Sequence, residues 1–552
     1  MNEKPPRFGS KRFRQILWSA FAGDALAAVK GLYWFLTRRR VRGWARLAVA
    51  AADAPNNYHR WTTTGEAHAF GAFRLAHPQQ RRLSIVPLLI GVEARDGGAA
   101  ARTIRSARLV FGEHVRIHAP PNDQRLADVL DSLDEASAEW LLPLVAGDCV
   151  SSALADILQR VVRDPAGAAL IYWDEDTVGG EGRHDPWIKP KWDEILFGRV
   201  GGLAGASSMS LSAARSLARA MPDRWDRAGV ERLAMALASD DARPEPAHVP
   251  LILTHRTQRN ALKRDLDPAP RLTLAGDWPT VSILVPTRDR PELLDACMRG
   301  VERTSYPGEV ELVLIDNGTK DAAALRIIDQ AASGRGAKVL RDDGPFNFSR
   351  LNNAGARTAA GEFLCFLNND VEPLDEHWLM NMISYARDEG VGAVGAMLLY
   401  PSGRIQHAGV AIGVGGAAGH IQKGVDPADT RFRTWHQVTR RVSAVTAAAM
   451  AVRKEAFFNV GGFDEAAFPV AFNDIDLCLR LDEAGLRNIY VAEARLVHRE
   501  SESRGDDRSR GHAQRFANEL AQLQQRWHTR DFVDPFHSPL FSRFVERCVL
   551  AL

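Results

Sequence analysis

Short apolar runs that stop abruptly at polar residues organise this chain. Phe363–Leu367 is followed at once by Asn368-Asn369-Asp370. A continuous run of that length predicts a strand buried on both faces, as in a parallel sheet. Ligands of open α/β sheets sit beyond the carboxyl ends of such strands. An acid preceded by two amides at that place suits a divalent ion holding a diphosphate. Val281–Pro286 and Val310–Ile315 repeat the pattern, ending in Thr287-Arg288-Asp289 and Asp316-Asn317-Gly318-Thr319. Successive parallel strands would bring these carboxylates to one edge, where Asp289 or Asp316 could accept hydrogen bonds from a base or ribose. Pro291 suits a first helical turn, with Leu293, Leu294, Cys297, Met298 and Val301 as the buried face. Phe346–Gly355 opens another helix, with Asn and Ser as caps and Asn352 and Asn353 turned toward whatever lies at its start. Ile475, Leu477, Cys478, Leu479 and Leu481 predict a buried helix start, for which Asp474 is an N-cap candidate. Phe516, Leu520, Leu523 and Trp527 predict a C-terminal helix packed on its domain.

The first half alternates in the same way. Leu83–Val92, Trp140–Val145 and Ala168–Trp173 are expected strands, with helices at Arg102–Leu109 and Ala153–Val162. That order implies a parallel α/β sheet. The third strand runs into Asp174-Glu175-Asp176, for which a structural role is expected. Thr257–Thr280 carries Pro268, Pro270 and Pro279 with no apolar periodicity and is read as a linker.

Ile16–Leu36 is strongly apolar and has basic flanks, but Asp24 and Lys30 argue against a membrane span, since each charge at bilayer depth costs about 2.5–3.5 kcal/mol. At helical spacing Ser19, Gly23, Asp24, Lys30, Gly31 and Thr37 share one arc, with Ile16 and Trp34 intruding on it. Residues 11–42 therefore read either as an amphipathic helix on an anionic membrane surface or as a helix packed on the next domain.

Composition narrows this little. A chain of 552 residues should form two or three domains. With 70 basic against 68 acidic side chains there is no general drive toward nucleic acid, and none is expected as a partner. The five cysteines are scattered without metal-ligand spacing, and Cys297, Cys365 and Cys478 lie inside apolar patterns. Buried free thiols in a reducing compartment such as the cytoplasm fit.

Seven motifs in order carry a resemblance: VSILVPTRDRPELLDACMRGV, ELVLIDNGT, FNFSRLNNAGARTAAGEFLCFLNNDVEP, GRIQHAGV, VTAAAMAVRKEAFFNVGGFDE, FNDIDLCLRLDEAG and LVHRESESRG. Together they resemble family 2 glycosyltransferases with a GT-A fold, of the bacterial rhamnosyltransferase, O-antigen and surface-glycan type. The likeness covers Val281–Gly505. It implies that Asp316 contacts the nucleoside, that Asp370 and His498 bind the metal, and that Asp474 is the general base. Pro286, Thr287, Asp289, Asn352, Asn353, Asn368 and Asn369 would belong to the donor side. Gly461, Gly462, Asp464 and Asp476 would belong to the acceptor side, although Asp476 would turn off the ligand face if it starts a helix. Asn368 and Asn369 depart from the usual acids of the metal motif and leave Asp370 as its one charged ligand.

The run Ala169–Phe197 and the segment His248–Arg256 resemble the same family again. Here Val115–Pro121 has no carboxylate, Asp148 falls one position beyond the metal Asp, and no late acidic pair appears in Asp226–Ala238. The expectation is an α/β chain of two tandem GT-A (nucleotide-diphospho-sugar transferase, Rossmann-like) domains with flanking helices. Its parts would be a helical segment 1–60, a degenerate domain 81–256, a linker 257–280, a catalytic domain 281–505 and a helical tail 506–552.

The implied activity is inverting, Mn²⁺- or Mg²⁺-dependent transfer from a UDP-, dTDP- or GDP-linked sugar to a glycan or lipid-linked glycan. The expected location is cytoplasmic, peripheral at the inner face of a bacterial plasma membrane. His is a donor that Mn²⁺ accepts more readily than Mg²⁺ does. His407 and His420 read as structural histidines or parts of an acceptor loop, and Arg499–Arg510 as a diphosphate cap or a solvated loop. The competing reading is a non-catalytic nucleotide- or glycan-binding scaffold. A sugar nucleotidyltransferase would need a Gly-rich basic loop after the first strand, which Pro286–Asp289 is not.

Overall fold

The computed structural model describes residues 6–37, 39–79, 84–91, 97–134, 139–161, 167–257, 277–499 and 510–551. Leu83 and Val92, residues 258–276 of the expected linker and residues 500–509 lie outside them. The chain divides into two compact units: Met1–Asp265 with His537–Ser542 and Val549–Leu552, and Leu266–Phe536 with Arg543–Cys548.

The first unit opens with four helices, α1 (Lys11–Gly23), α2 (Ala25–Leu36), α3 (Arg40–Ala52) and α4 (Asn57–Ala76). The single helix expected over Ile16–Leu36 is therefore two, and the helical segment extends past residue 60. Asp24 makes the break. Its backbone is extended (φ −143°, ψ 97°) and its carboxylate accepts a hydrogen bond from the Ala27 N–H at 2.9 Å, capping α2.

Behind these helices lies a sheet with strand order Ile85–Ile90, Trp140–Val145, Ser207–Ser210, Leu170–Gly179, Ala247–Arg256 and Cys149–Val150, with Gly182–Trp187 beside Leu170–Gly179. It is mixed rather than parallel, because Ser207–Ser210 runs antiparallel to both neighbours. The strand expected to end at Trp173 continues through Asp174, Glu175 and Asp176, all buried. It can do so because each acid meets a partner. His248 engages Asp174 at 2.9 Å, Arg256 donates to Glu175 at 2.8 Å, and His255 engages Asp176 at 2.7 Å. Arg256 is itself fully buried and also donates to Asp148 at 2.8 Å.

The second unit's main sheet is built on β1 (Val281–Thr287), β2 (Val310–Asp316), β3 (Lys338–Arg341), β4 (Phe363–Leu367), β5 (Val371–Pro373), β6 (Val391–Leu399), β7 (Ala449–Arg453) and β8 (Arg487–His498). The order is β3-β2-β1-β4-β7-β6-β8-β5. The first four are parallel, and β7 is antiparallel to β4 and β6. Chain order reverses at β1, with β2 on one side and β4 on the other, so a topological switch point falls where these strands end. β4 is fully buried, as its continuous apolar run requires. Leu293, Leu294, Cys297 and Met298 of the helix Pro291–Glu302 are buried and Val301 is half-buried. On the helix Arg510–Trp527, Leu523 is buried, but Phe516 is 49% exposed and is not core.

Removing Arg256 would leave Asp148 buried without its cation, a loss of the kind that costs about 3–5 kcal/mol. Arg256→Met is expected to lower the apparent melting temperature of the full chain, as read by differential scanning calorimetry; an unchanged melt would contradict this account of the buried network.

Candidate active site

At the carboxyl edge of the second unit's parallel strands, Thr287 of β1 lies opposite Asp316 of β2. Asp316 is buried. Its Oδ1 accepts from the Thr319 N–H at 2.8 Å, and its Oδ2 pairs with the Arg341 guanidinium. Asp289 has a left-handed backbone (φ 52°), and its Oδ1 accepts from the N–H groups of Lys320 and Asp321. Those two donors hold its carboxyl below the usual value. Asp289 therefore ties the loop after β1 to the loop after β2, while Asp316 ties its own loop to β3. Pro286 sits within β1, opposite Ile315. The Asn369 amide reaches across to donate to Thr287 Oγ1 at 3.2 Å.

Asn368-Asn369-Asp370 is the turn between β4 and β5, closed by the Val371 N–H donating to the Asn368 carbonyl at 3.1 Å. β5 pairs antiparallel with β8 and sets Val371 opposite His498. That register brings His498 Nε2 to 3.2 Å from Asp370 Oδ1. His498 Nδ1 engages Gln406 Oε1 at 2.7 Å. An amide oxygen only accepts, so His498 carries a proton on Nδ1, and its Nε2 faces the carboxylate. Two electron-rich atoms at this distance call for a proton or a cation between them.

Asp474 stands at the second position of the helix Asn473–Glu483, which Phe472 (φ 62°), rather than Asp474, introduces as N-cap. Its Oδ2 accepts from the Ala447 N–H at 3.2 Å and its Oδ1 from the Ile475 N–H at 2.9 Å. Burial pushes its carboxyl up from the ordinary value, against the pull of these backbone donors. Asn368, Asp370, His498 and Asp474 all line one cavity of about 630 Å³. Gln406, His420, Thr446 and the backbone of Ala447 and Ala448 complete its wall, and Arg515 and Phe516 of the C-terminal helix line it as well. Gln406 and Arg515 were not singled out from sequence. Gln406 lies inside the GRIQHAGV motif, but its contact with His498 depends on chain pairing that no local pattern reveals. His420 meets His407, Nδ1 to Nδ1, at 2.8 Å, and His407 is fully buried.

Other predicted residues lie elsewhere. Pro286, Thr287, Asp289, Asp316 and Asn369 belong to the strand-end edge and not to the cavity wall. The amide nitrogens of Asn352 and Asn353 are taken by groups within the protein. Asn352 Nδ2 donates to the Phe348 carbonyl within its helix, while Asn353 donates to the Phe463 carbonyl and Glu465 and accepts from the Phe463 N–H. Asn353 thereby pins the turn containing Gly461 and Gly462. Gly462 has φ 67°, and a Cβ there would come within 2.8 Å of Asn353 Oδ1, so only glycine fits. Asp464 accepts from the N–H groups of Ala466 and Ala467 and pairs with Arg526. Asp476 is fully buried and is no acceptor-side group: it takes Arg480, Arg526 and the Trp527 indole N–H. It anchors the C-terminal helix.

Among the described residues no three His, Cys, Asp or Glu side chains form a metal cage. Asp370 and His498 could still supply two donors. Their 3.2 Å spacing is close to the about 3.0 Å that separates adjacent ligands in an octahedron of ~2.1 Å bonds.

A β-sheet switch point with acids at its edge and a carboxylate-lined cavity beside it defines an α/β protein with a candidate ligand site at its strand ends. Residues 282–460 match the family described as Glycosyl transferase family 2, and that part of the chain belongs to the family. It is 36% identical to the uncharacterized protein y4gI of Sinorhizobium fredii over 425 residues, 70% of this chain and 46% of that one. It is 35% identical to the O-antigen biosynthesis protein RfbC of Myxococcus xanthus over 395 residues, 64% of this chain and 30% of that one. The chain thus spans less than half the length of these two relatives. Among solved structures it is similar to the mannosyltransferase PcManGT from Pyrobaculum calidifontis in complex with GDP-Man and Mn²⁺, with 19% identity, a TM-score of 0.35 and coverage of 47% and 67% of the two chains.

Asp474 gives a test of the site's electrostatics. Because its carboxyl is raised in the folded state, the folded chain holds this proton more tightly than the unfolded chain does. The group's contribution to stability is therefore largest in acid and falls as pH climbs from the ordinary carboxylate value through the raised one. Asp474→Asn is expected to melt higher than the wild type at neutral pH, by on the order of a few degrees, and the gap should close in acid. Melting curves of both proteins between acid and neutral pH check it.

Proposed function

We propose that the second unit is a metal-dependent, inverting glycosyltransferase with a GT-A fold that moves a sugar from a nucleotide-sugar donor to a hydroxyl of a growing cell-surface glycan. The observation that carries this reading is the convergence of Asp370, His498 and Asp474 on one cavity. The strand-end edge with Asp289 and Asp316 would receive the nucleoside. The donor sugar would then point toward the cavity. Asp316 is anchored by the Thr319 N–H, so its remaining acceptor capacity would be held in a fixed direction. Asn368 would add an amide at the cavity wall.

A bound Mn²⁺ or Mg²⁺ would neutralise charge developing on the leaving diphosphate. Asp370 and His498 fit it as two neighbouring donors, the rest of its shell coming from phosphate oxygens and water. Gln406 would keep the His498 proton on Nδ1 and the Nε2 lone pair toward the ion. An acceptor hydroxyl, with a pKa far above neutral, needs a base as it attacks. Asp474 would take that proton, and its raised carboxyl makes it a better base than an exposed aspartate. A single base on the face opposite the leaving group accounts for inversion without a covalent intermediate. The O-antigen role in the name of the Myxococcus relative supports the reading.

Residues 81–256 would be a degenerate GT-A-like copy. The Arg256 guanidinium stands beside Asp148 at 2.8 Å, where a cation would otherwise be wanted. A UDP-, dTDP- or GDP-linked sugar would be the donor, and a glycan or lipid-linked glycan the acceptor. Residues 11–42 would hold the chain at the inner, cytoplasmic face of a bacterial plasma membrane. A non-catalytic scaffold is the second reading, favoured by the amides Asn368 and Asn369 in place of acids.

Donor hydrolysis with Mn²⁺ separates the two. Asp474→Asn is expected to lose roughly 10²–10⁴-fold in turnover, and Asp370→Ala to lose the metal requirement together with the activity. Nucleotide binding without turnover of any UDP-, dTDP- or GDP-sugar would favour the scaffold. Metal-dependent turnover retained in Asp370→Ala would overturn the metal assignment.

A further inference from the structure

The N-terminal helices carry large apolar side chains on both faces. Phe13, Ile16 and Phe35 are buried with the small or polar Ser19, Ala20, Ala28 and Gly31, while most other large apolar side chains of the same helices face outward. Trp18 is 75% exposed, Leu26 81% and Tyr33 63%, and Val29 and Leu36 are more than half exposed. The small residues let the backbones touch. A Cβ on Gly23 would fall 2.0 Å from the Ala50 carbonyl, and one on Gly43 would fall 2.5 Å from the Phe35 amide nitrogen. Small residues between helices and bulky apolar ones outside is the arrangement that suits a lipid environment rather than water.

Charge selects the kind of surface. Between Pro6 and Ala52 the sequence holds ten Lys and Arg against one acid, Asp24. Lys11, Arg14, Lys30, Arg39, Arg40 and Arg42 are exposed around the apolar face. A second copy docking isologously on this face would set two like-charged rims against each other. An anionic bilayer meets both features at once. The helices are 13 and 12 residues long, about 20 Å each, against the ~30 Å of a hydrocarbon core. No described helix is long and apolar enough to cross a membrane.

We propose that α1 and α2 form a monotopic lipid-docking hairpin that lies in the interface of an anionic bilayer, with Trp18, Leu26, Val29, Tyr33 and Leu36 in the acyl boundary and the basic rim among the headgroups. This rests on the peripheral contact proposed for residues 11–42 and is independent of sugar transfer. Of the polar arc read from sequence, Ser19 and Gly31 pack inward while Asp24, Lys30 and Thr37 are exposed.

The test is co-flotation of the full chain with vesicles of phosphatidylcholine containing about 30% phosphatidylglycerol, against pure phosphatidylcholine. The wild type should float with the anionic vesicles, and the Leu26→Ser/Tyr33→Ser variant should lose at least about tenfold in partition. Arg40→Gln/Arg42→Gln should weaken binding to anionic vesicles and leave the melting curve unchanged, which keeps the test open if the serine variant folds poorly. Donor hydrolysis by both variants should match the wild type, separating this idea from the catalytic one. A wild type that stays in the soluble fraction with anionic vesicles overturns the proposal. So do apolar and basic variants that both float as well as the wild type. A wild-type dimer in light scattering that the serine variant converts to monomer would assign the face to a second copy and equally overturn it.

Discussion

The pairing of β5 with β8 is the constraint on which the cavity depends. β5 has only three residues, yet its register with β8 sets the Asp370 turn against His498, although the two lie far apart in the chain. The Arg499 N–H donating to the Asp370 carbonyl at 2.9 Å extends the same pairing by one more bond. A slip of one residue would turn the His498 side chain to the opposite face of the sheet and separate the two donors. The Gln406 contact with His498 would go with it. Backbone hydrogen bonds thus set the spacing of the two side chains.

Buried acids in the first unit's sheet and at the second unit's cavity are handled in opposite ways. In the first, Asp148, Glu175 and Arg256 satisfy one another inside the sheet, and a Cβ on Gly205 would already crowd the Arg256 guanidinium at 2.8 Å. In the second, Asp370 and Asp474 face a cavity, and Asp474 carries a raised carboxyl. A structural role for Asp174–Asp176 and a site for Asp370 therefore follow from the same rule: a buried acid either finds an internal cation or lies where an external one can reach it.

Much of this was legible in the residues. Abrupt ends of apolar runs marked the strands β1, β2 and β4 and the turns after them, because a strand buried on both faces has no polar residue until it leaves the core. Motif order singled out Asp370, Asp474 and His498, which do line one cavity. Asn353 and Asp476 were not legible, since their partners lie 110 and 50 residues away in sequence. An amide or an acid looks the same in sequence whether it faces a ligand or a distant backbone group. The N-terminal helices misled for another reason. Helical periodicity does not reveal the break at Asp24, whose extended backbone ends one helix and whose side chain caps the next.

The tie between Asp476 and Arg526 bears on where this protein can be cut. The family match stops at residue 460, but Asp474, His498 and the helix bearing Arg515 and Phe516 all come later. The guanidinium of Arg526 and the indole of Trp527 fasten that helix to the buried carboxylate. A fragment ending at residue 460 would keep the strand-end shelf and lose Asp474, His498 and the C-terminal helix from the cavity. The second unit's cavity is held by hydrogen bonds that extend well beyond that boundary.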